Sequence, residues 1–381
     1  MTRCVIKVTK RDTMSIIIPV YREAKNLENI LKALINEETL EFEKEIIVTV
    51  DEPSPRFVKI ISKYQNSVTF LISKKRRGKV NALNDAISRS SGRILVFLDN
   101  DIKIRDKNFL KTIYKFMKDY DIAEIKKISN RKKILGRMVY YDYLTFSVAS
   151  YLFYKKLKKS AGINGAAFVL TRKSVKELGG FKQCILEDLD IGYRSFFHSL
   201  RFKFIHETEV IVDPPSSWRE WLDQRKRWVI GAALWMKDYF FHLKRFAKKN
   251  KRLSLLSTIT LFPSGLFPLF MLASTFRPLE SFVLILLYIL VGYFGPFFPI
   301  AVLLSYGFTF LLLQNFLALS AYFLVFMFYI YRYAKKINYG LNPFWFFVYF
   351  FFYAPLWFML LVAGFIRVLV FKKTEVRGWK I

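Results

Sequence analysis

Residues 15–21, SIIIPVY, form an apolar run, and the segment after them repeats its apolar positions at Leu27, Ile30, Leu31 and Leu34. The run predicts a strand and the i, i+3, i+4, i+7 spacing an amphipathic helix. The alternation continues. EIIVTVDEPSP (45–55) is an apolar strand closed by Asp51 and turn-forming Pro and Ser, and VTFLI (68–72) is a third strand. Gly78 precedes a helix with Val80, Leu83 and Ile87 on one face, and ILVFL (94–98) is a fourth strand. Strands and helices alternating at these intervals predict βαβ units and a parallel sheet.

Beyond residue 253 the pattern changes. Apolar stretches near 253–276, 281–305, 307–331 and 343–371 are each long enough to cross a hydrocarbon core of about 30 Å. Pro263, Pro268, Pro296 and Pro299 interrupt the first two, which are expected to be kinked or partly re-entrant. A further stretch, RKKILGRMVYYDYLTFSVASYLFYKKLKK (131–159), is aromatic-rich with basic clusters at both ends. Asp142 and those flanks argue against a span, so an amphipathic helix lying in the membrane interface is expected, with a buried core helix as the alternative.

Charge sharpens this division. The 381 residues carry 61 Lys+Arg against 30 Asp+Glu, a net charge of +31, yet 53% are hydrophobic. Between Leu253 and Phe371 the cations are Arg277, Arg332, Lys335, Lys336 and Arg367, and Glu280 is the one acid. The charge therefore lies in residues 1–252 and the last ten, a basic domain followed by membrane helices. Spans so poor in intramembrane charge argue against a transporter. A basic surface beside membrane helices fits anionic lipid headgroups better than nucleic acid. With four spans and a cytosolic N-terminus, KKNKR (248–252) and the basic tail 372–381 lie inside, which the positive-inside rule favours. Residues 1–13 are a basic extension with no apolar core of signal-peptide length. Cys4 and Cys184 make no disulfide framework or zinc site.

The chemistry concentrates at strand exits. After ILVFL come Asp99 and Asp101, which an extended backbone points the same way. Two hard oxygen ligands beyond the carboxyl end of a strand suit Mg2+ or Mn2+ completed by water and phosphate, although DND also reads as a solvated turn. No GxGxxG or GxxxxGK[ST] occurs, so bound phosphates must be held by metal and basic side chains. ILEDLDIGYR (185–194) adds Glu187 and Asp188, also explicable as an acidic helix start. In PPSSWREWLDQRKRW (214–228), Ser217 and Glu220 form a capping box. The helix that follows aligns Gln224, Arg227 and Trp228 on one face, suited to phosphate and sugar, with Arg225 and Lys226 on other faces, toward the bilayer.

Asp51, Lys79 in GKVNALN, Asp99-Asn100-Asp101, NGAAFVLTRKSVKELGGF (164–181), Glu187-Asp188 and Gln224-Arg-Lys-Arg227-Trp228 stand in a definite order. That order resembles the membrane-bound family 2 glycosyltransferases, among them cellulose, chitin and hyaluronan synthases and ceramide glucosyltransferase. The resemblance covers about residues 14–235. It implies an α/β GT-A catalytic domain (14–252), Rossmann-like with a mostly parallel sheet, followed by a helical transmembrane bundle of about four spans (253–371). It implies a nucleotide-diphosphate sugar donor, usually UDP-linked, and a Mg2+ or Mn2+ cofactor. Asp51 would contact the nucleobase, Lys79 the nucleotide region, and Asp99 and Asp101 the donor, Asp101 most directly through the metal. Asp188 would be the general base with Glu187 beside it, while Gln224, Arg227 and Trp228 would hold the pyrophosphate and cap the acceptor site.

A single base and direct attack imply inversion. An already anionic polyprenyl phosphate acceptor needs no base, so the acid pair points to a hydroxyl on a lipid-linked or glycan acceptor. The expected protein is an integral membrane enzyme with its catalytic domain, including interfacial helices near 131–159 and 217–245, on the cytosolic face. The alternatives are a processive polysaccharide synthase, a polyprenyl-phosphate glycosyltransferase, and a non-enzymatic basic binding module tethered to the membrane.

Overall fold

The structure, a computed structural model, describes residues 12–23, 26–38, 41–160, 162–263, 285, 286, 289 and 298–375, with side chains for all of these except 298–315. They fall into two compact units, Met1–Ser254 with Leu360–Ile381, and Leu255–Met359.

The first unit is built on one eight-stranded sheet. Its strands are β1 (Asp12–Tyr21), β2 (Phe42–Asp51), β3 (Thr69–Ser73), β4 (Ile94–Leu98), β5 (Ile102–Ile104), β6 (Ile122–Ser129), β7 (Ala167–Thr171) and β8 (Phe202–Val212). The order is β3-β2-β1-β4-β7-β6-β8-β5. β1, β2, β3 and β4 pair in parallel, as the alternation predicts. The other half is mixed: β7 runs antiparallel to β4 and β6, β8 parallel to β6, and β5 antiparallel to β8. An apolar strand such as AFVLT is buried on both faces in either direction, so its hydropathy carries no orientation. β1 starts at Asp12, which faces Phe42 in register, so the strand takes in the end of the expected basic extension.

Helices α1 (Leu27–Asn36), α2 (Pro55–Tyr64) and α3 (Lys79–Arg89) follow the first three strands. The buried residues of α1 are Leu27, Ile30, Leu31 and Leu34, the stripe its spacing predicts. α4 (Phe109–Phe116), α5 (Ile134–Leu157), α6 (Arg172–Leu178), α7 (Glu187–Phe197), α8 (Trp218–Lys249) and α9 (Lys251–Leu261) complete the series.

α5 corrects the expectation of an interfacial helix at 131–159. Its buried residues run almost without a break from Leu135 to Tyr154 and include Asp142. A helix apolar and buried all round is a core helix; its basic ends, Arg131 to Lys133 and Lys155 to Lys159, simply mark where it leaves the core. The expected interfacial helix at 217–245 lies within α8. Its first half packs in the unit, and from Lys237 onward most side chains are exposed, Phe241 at 78%.

In the second unit, Tyr322 OH donates to Pro263 O at 2.8 Å and rings of Phe323, Phe326, Phe346 and Phe350 pack together. Two described stretches, Phe316–Lys336 and Pro343–Leu369, are long and apolar enough to cross a membrane. They correspond to the third and fourth expected spans. The first and second, 253–276 and 281–305, lie largely outside the described residues.

Candidate active site

The acids gather where β1, β2 and β4 end. Asp99 continues β4 through its N–H, which donates to Ala166 O at 3.0 Å. The turn after it is pinned on both sides. Asn26 Nδ2 donates to Asp101 O at 3.3 Å and to Asp213 Oδ2 at 2.9 Å, and Lys103 pairs with Asp213 at 2.7 Å. Asn100 Nδ2 reaches Pro19 O at 3.4 Å. DND is therefore a fixed turn, held through Asp101 O and Asn100 Nδ2, from which the Asp99 and Asp101 carboxylates project. Asn26 and Asp213 carry no signal in the sequence, because their partners lie far away along the chain.

Asp51 closes β2 and faces inward. Its Oδ2 accepts the N–H groups of Arg77 at 2.7 Å and Gly78 at 3.0 Å, and Arg77 Nε lies 3.2 Å from Oδ1. Gly78 sits at φ 91°, a conformation side-chain-bearing residues avoid, and starts α3 so that Lys79 is its first residue. Asp51 thus shapes the loop that presents Lys79.

Lys79 is the centre of the cluster. Its Nζ lies 2.8 Å from Asp99 Oδ1 and 2.8 Å from Glu187 Oε1, joining the β4 exit to the first turn of α7. Burial disfavours its charge, but Asp99, Glu187 and Asp188 outweigh burial and hold its pKa above the ordinary lysine value. Glu187 is therefore committed to Lys79. Asp188 is different. Burial, then the adjacent Glu187, push its carboxyl up to about 7, against the pull of Lys79. A carboxyl poised near neutrality is matched to proton abstraction.

Asp101 is exposed in the turn after β4, yet crowded by neighbouring protein atoms. Desolvation, then Asp99, push it up to about 6, with Lys79 opposing. That is excess negative charge which a cation would relieve. Among the described residues no three Asp, Glu, His or Cys side chains converge as a self-sufficient metal cage. Two carboxylates fit Mg2+ or Mn2+ when substrate phosphates complete the shell, which is how these hard cations are commonly held.

α8 brings the remaining cation. Burial pushes Arg227 below the usual guanidinium range, and Glu187, Asp99, Asp188 and Asp101 all counter it. Arg227 thus stands in the field of all four acids. Gln224 and Trp228, half-buried, lie beside it on the same helix. The capping box is present in altered form: Ser217 Oγ accepts the Glu220 N–H at 3.2 Å, while the Glu220 carboxylate accepts from Ser216 N at 2.8 Å. Ile230 and Ala233 of α8 share a buried cluster with Ile185 and Val368, and Leu186 packs against it, which fixes the segment leading to Glu187-Asp188.

Arg225 corrects the expectation of a bilayer-facing side chain. It is 0% exposed and its Nη2 donates to Asp142 Oδ2 at 2.5 Å. Two further residues join the site unannounced. Tyr143, buried, has its phenol pushed up first by burial and then by Asp101. Lys127, buried, donates to Glu124 Oε1 at 3.0 Å and has its pKa lowered by burial against Glu124, Asp188 and Asp99. Consecutive buried lysines within one strand, Lys126 and Lys127, were the available signal for the latter.

Gly165 is the tightest point. A Cβ there would stand 2.5 Å from Asp188 Oδ2 and 3.0 Å from its Cγ. Gly165→Ala is expected to displace the Asp188 carboxylate and lower turnover on the order of a hundredfold, the effect of an ångström-scale misplacement. UDP–Mn2+ affinity should change less than about threefold, because Asp51, Asp99 and Asp101 are untouched. Parallel kinetics and calorimetric titration check this.

A mixed, curled sheet with acids at its strand exits has the GT-A-like architecture. Residues 15–179, less than half of the chain, match the family described as glycosyl transferase family 2. A probable glycosyltransferase of Bacillus subtilis (strain 168), YdaM, is 26% identical over 246 residues, 61% of this chain and 59% of the relative. The poly-beta-1,6-N-acetyl-D-glucosamine synthase of Staphylococcus epidermidis is 25% identical over 257 residues, 64% and 59%. The chain thus spans less than two thirds of the length of these relatives. Among solved structures, the mannosyltransferase PcManGT from Pyrobaculum calidifontis, in complex with GDP-Man and Mn2+, matches with a TM-score of 0.52 at 17% identity, covering 81% of this chain and 88% of that one. That likeness is one of fold.

Proposed function

We propose that the chain is an inverting, metal-dependent glycosyltransferase. It moves a sugar from a UDP-linked donor to a hydroxyl of a lipid-linked or glycan acceptor. The observation that carries this is the convergence of Asp99, Glu187 and Lys79 within 2.8 Å contacts, with Asp188 poised near neutrality and Arg227 in their field. In this reading Asp188 accepts the acceptor hydroxyl proton as its oxygen attacks the anomeric carbon, and the bond from that carbon to the diphosphate oxygen breaks. Direct attack from the face opposite the leaving group inverts the centre. Arg227, in the field of the acids, meets the charge that develops on the diphosphate. Asp101 and Asp99 would hold Mg2+ or Mn2+, which when bound supplies Lewis-acid stabilisation of that same charge. Lys79 keeps Asp99 and Glu187 oriented, and Asp51 shapes the loop under the nucleotide.

The chain would sit in the cell membrane through its apolar helices, with the catalytic domain on the cytosolic side. The exposed cations Lys244, Arg245, Lys248, Lys249, Lys251 and Arg252 would meet anionic headgroups there. The similarity to a poly-N-acetylglucosamine synthase favours a second reading, processive polymerisation from UDP-N-acetylglucosamine. Product length separates the two.

The test is nucleotide release by purified protein in lipid vesicles with Mn2+ across a panel of UDP- and GDP-sugars. Release from one donor, abolished by EDTA, is expected. Silence across the panel, with no nucleotide bound in direct titration, would overturn the proposal.

A further inference from the structure

α8 carries two adjoining rows of side chains. Gln224, Arg227 and Trp228 form one, at i, i+3 and i+4; Trp221, Arg225 and Trp228 form the other, at i, i+4 and i+7. Trp228 belongs to both rows. It is the corner at which the buried side of the helix meets the side that serves the site.

The buried row is unusual in its chemistry. Arg225 is 0% exposed and Asp142 3%, and they pair at 2.5 Å. The Arg225 guanidinium carbon lies 4.3 Å over the Trp228 ring and 5.6 Å from that of Trp221. A buried ion pair is a weak stabilising device, since desolvation consumes most of its attraction and apolar replacements of similar volume are often neutral. A planar guanidinium held by a carboxylate does something an apolar pair does not: it fixes the plane of a ring stacked on it. Asp142 is also next in the chain to Tyr143, whose phenol feels the Asp101 carboxylate. One dipeptide of α5 therefore addresses both the helix carrying Trp228 and the cluster carrying Asp101.

We propose that Asp142 and Arg225 are positioning residues that lock the Trp228 indole, and through it the wall of the site where the acceptor binds. Asp142 holds the guanidinium, the guanidinium sets the ring, and the ring shapes the acceptor side. Neither residue touches substrate. This rests on the transferase reading, with Trp228 on the acceptor side.

The experiment is a double-mutant cycle in the full chain in lipid vesicles: Arg225→Lys, Trp228→Leu and both together, beside the wild type. Nucleotide release is measured with the donor that the wild type turns over, and UDP–Mn2+ binding by titration. Arg225→Lys keeps the charge for Asp142 but loses the flat stacking surface. It is expected to lower turnover on the order of tenfold in the wild-type background and by less than about twofold once Trp228 is Leu. UDP–Mn2+ affinity of Arg225→Lys should stay within about threefold of the wild type. The apolar pair Asp142→Leu with Arg225→Met should melt within about 3 °C of the wild type and show the same loss of turnover. Equal losses from Arg225→Lys in both backgrounds, or wild-type turnover in the apolar pair, would overturn the proposal. A wild type that releases no nucleotide would instead defeat the transferase reading, leaving the two failures distinct.

Discussion

Asp188→Asn is expected to lower sugar transfer by on the order of 10²–10⁴-fold, the range general-base removal commonly produces. The shape of the side chain is kept and the N–H of Leu189, which donates to Asp188 Oδ1 at 2.8 Å, still finds an oxygen. What is lost is the proton acceptor. Glu187 does not substitute, because its carboxylate is held by Lys79 at 2.8 Å. UDP–Mn2+ binding should remain within a few-fold of wild type. The pH dependence has a definite sign. Burial and Glu187 push Asp188 up to about 7, and a base works only when deprotonated, so wild-type turnover should fall as pH drops below about 7. The same group affects stability in the opposite sense. Its folded pKa lies above the ordinary 3.8, so the fold favours the protonated form and stability is lost as pH rises toward 7. The Asn variant carries no charge to bury, and it should melt higher than wild type at pH 8, with the gap narrowing at pH 5. Melting curves at the two pH values check this independently of any substrate.

Asp101→Ala carries the second large effect. Burial and Asp99 leave Asp101 pushed up to about 6, a carboxylate whose charged form a bound cation would stabilise. Removing it should weaken UDP–Mn2+ binding and reduce turnover by about a hundredfold or more, since metal stabilisation of leaving-group charge is worth several kcal/mol. The backbone of the turn should survive, because Asn26 Nδ2 and Asp213 N both donate to Asp101 O at 3.3 Å, which the substitution leaves in place. Binding of UDP without metal should therefore change little. If Asp101→Ala bound UDP–Mn2+ as wild type does, the metal assignment would fail.

The parts of the molecule written in local sequence were readable there. The stripe of α1, the apolar β4 with its acids at the exit, and the capped start of α8 each depend on neighbours a few residues away. What depends on distant partners was not readable. AFVLT, β7, is an apolar run whether parallel or antiparallel to β4. α5 looks interfacial because aromatic residues with basic ends are common to membrane-surface helices and to core helices that end at the surface. In QRKRW the helical spacing sets Arg227 apart, but only the structure separates Arg225, buried against Asp142 from 83 residues earlier, from Lys226 in solvent. Asn26, Asp213, Tyr143 and Lys127 reach the site the same way, by strands and helices that sequence spacing does not connect.

The most direct test is nucleotide release from a UDP-sugar by the purified protein in lipid vesicles with saturating Mn2+, wild type beside Asp188→Asn. Release by the wild type, reduced at least a hundredfold in the variant while titrated UDP–Mn2+ affinity holds, is the predicted result. Equal release by both proteins would contradict the assignment of this cleft as the place where transfer occurs.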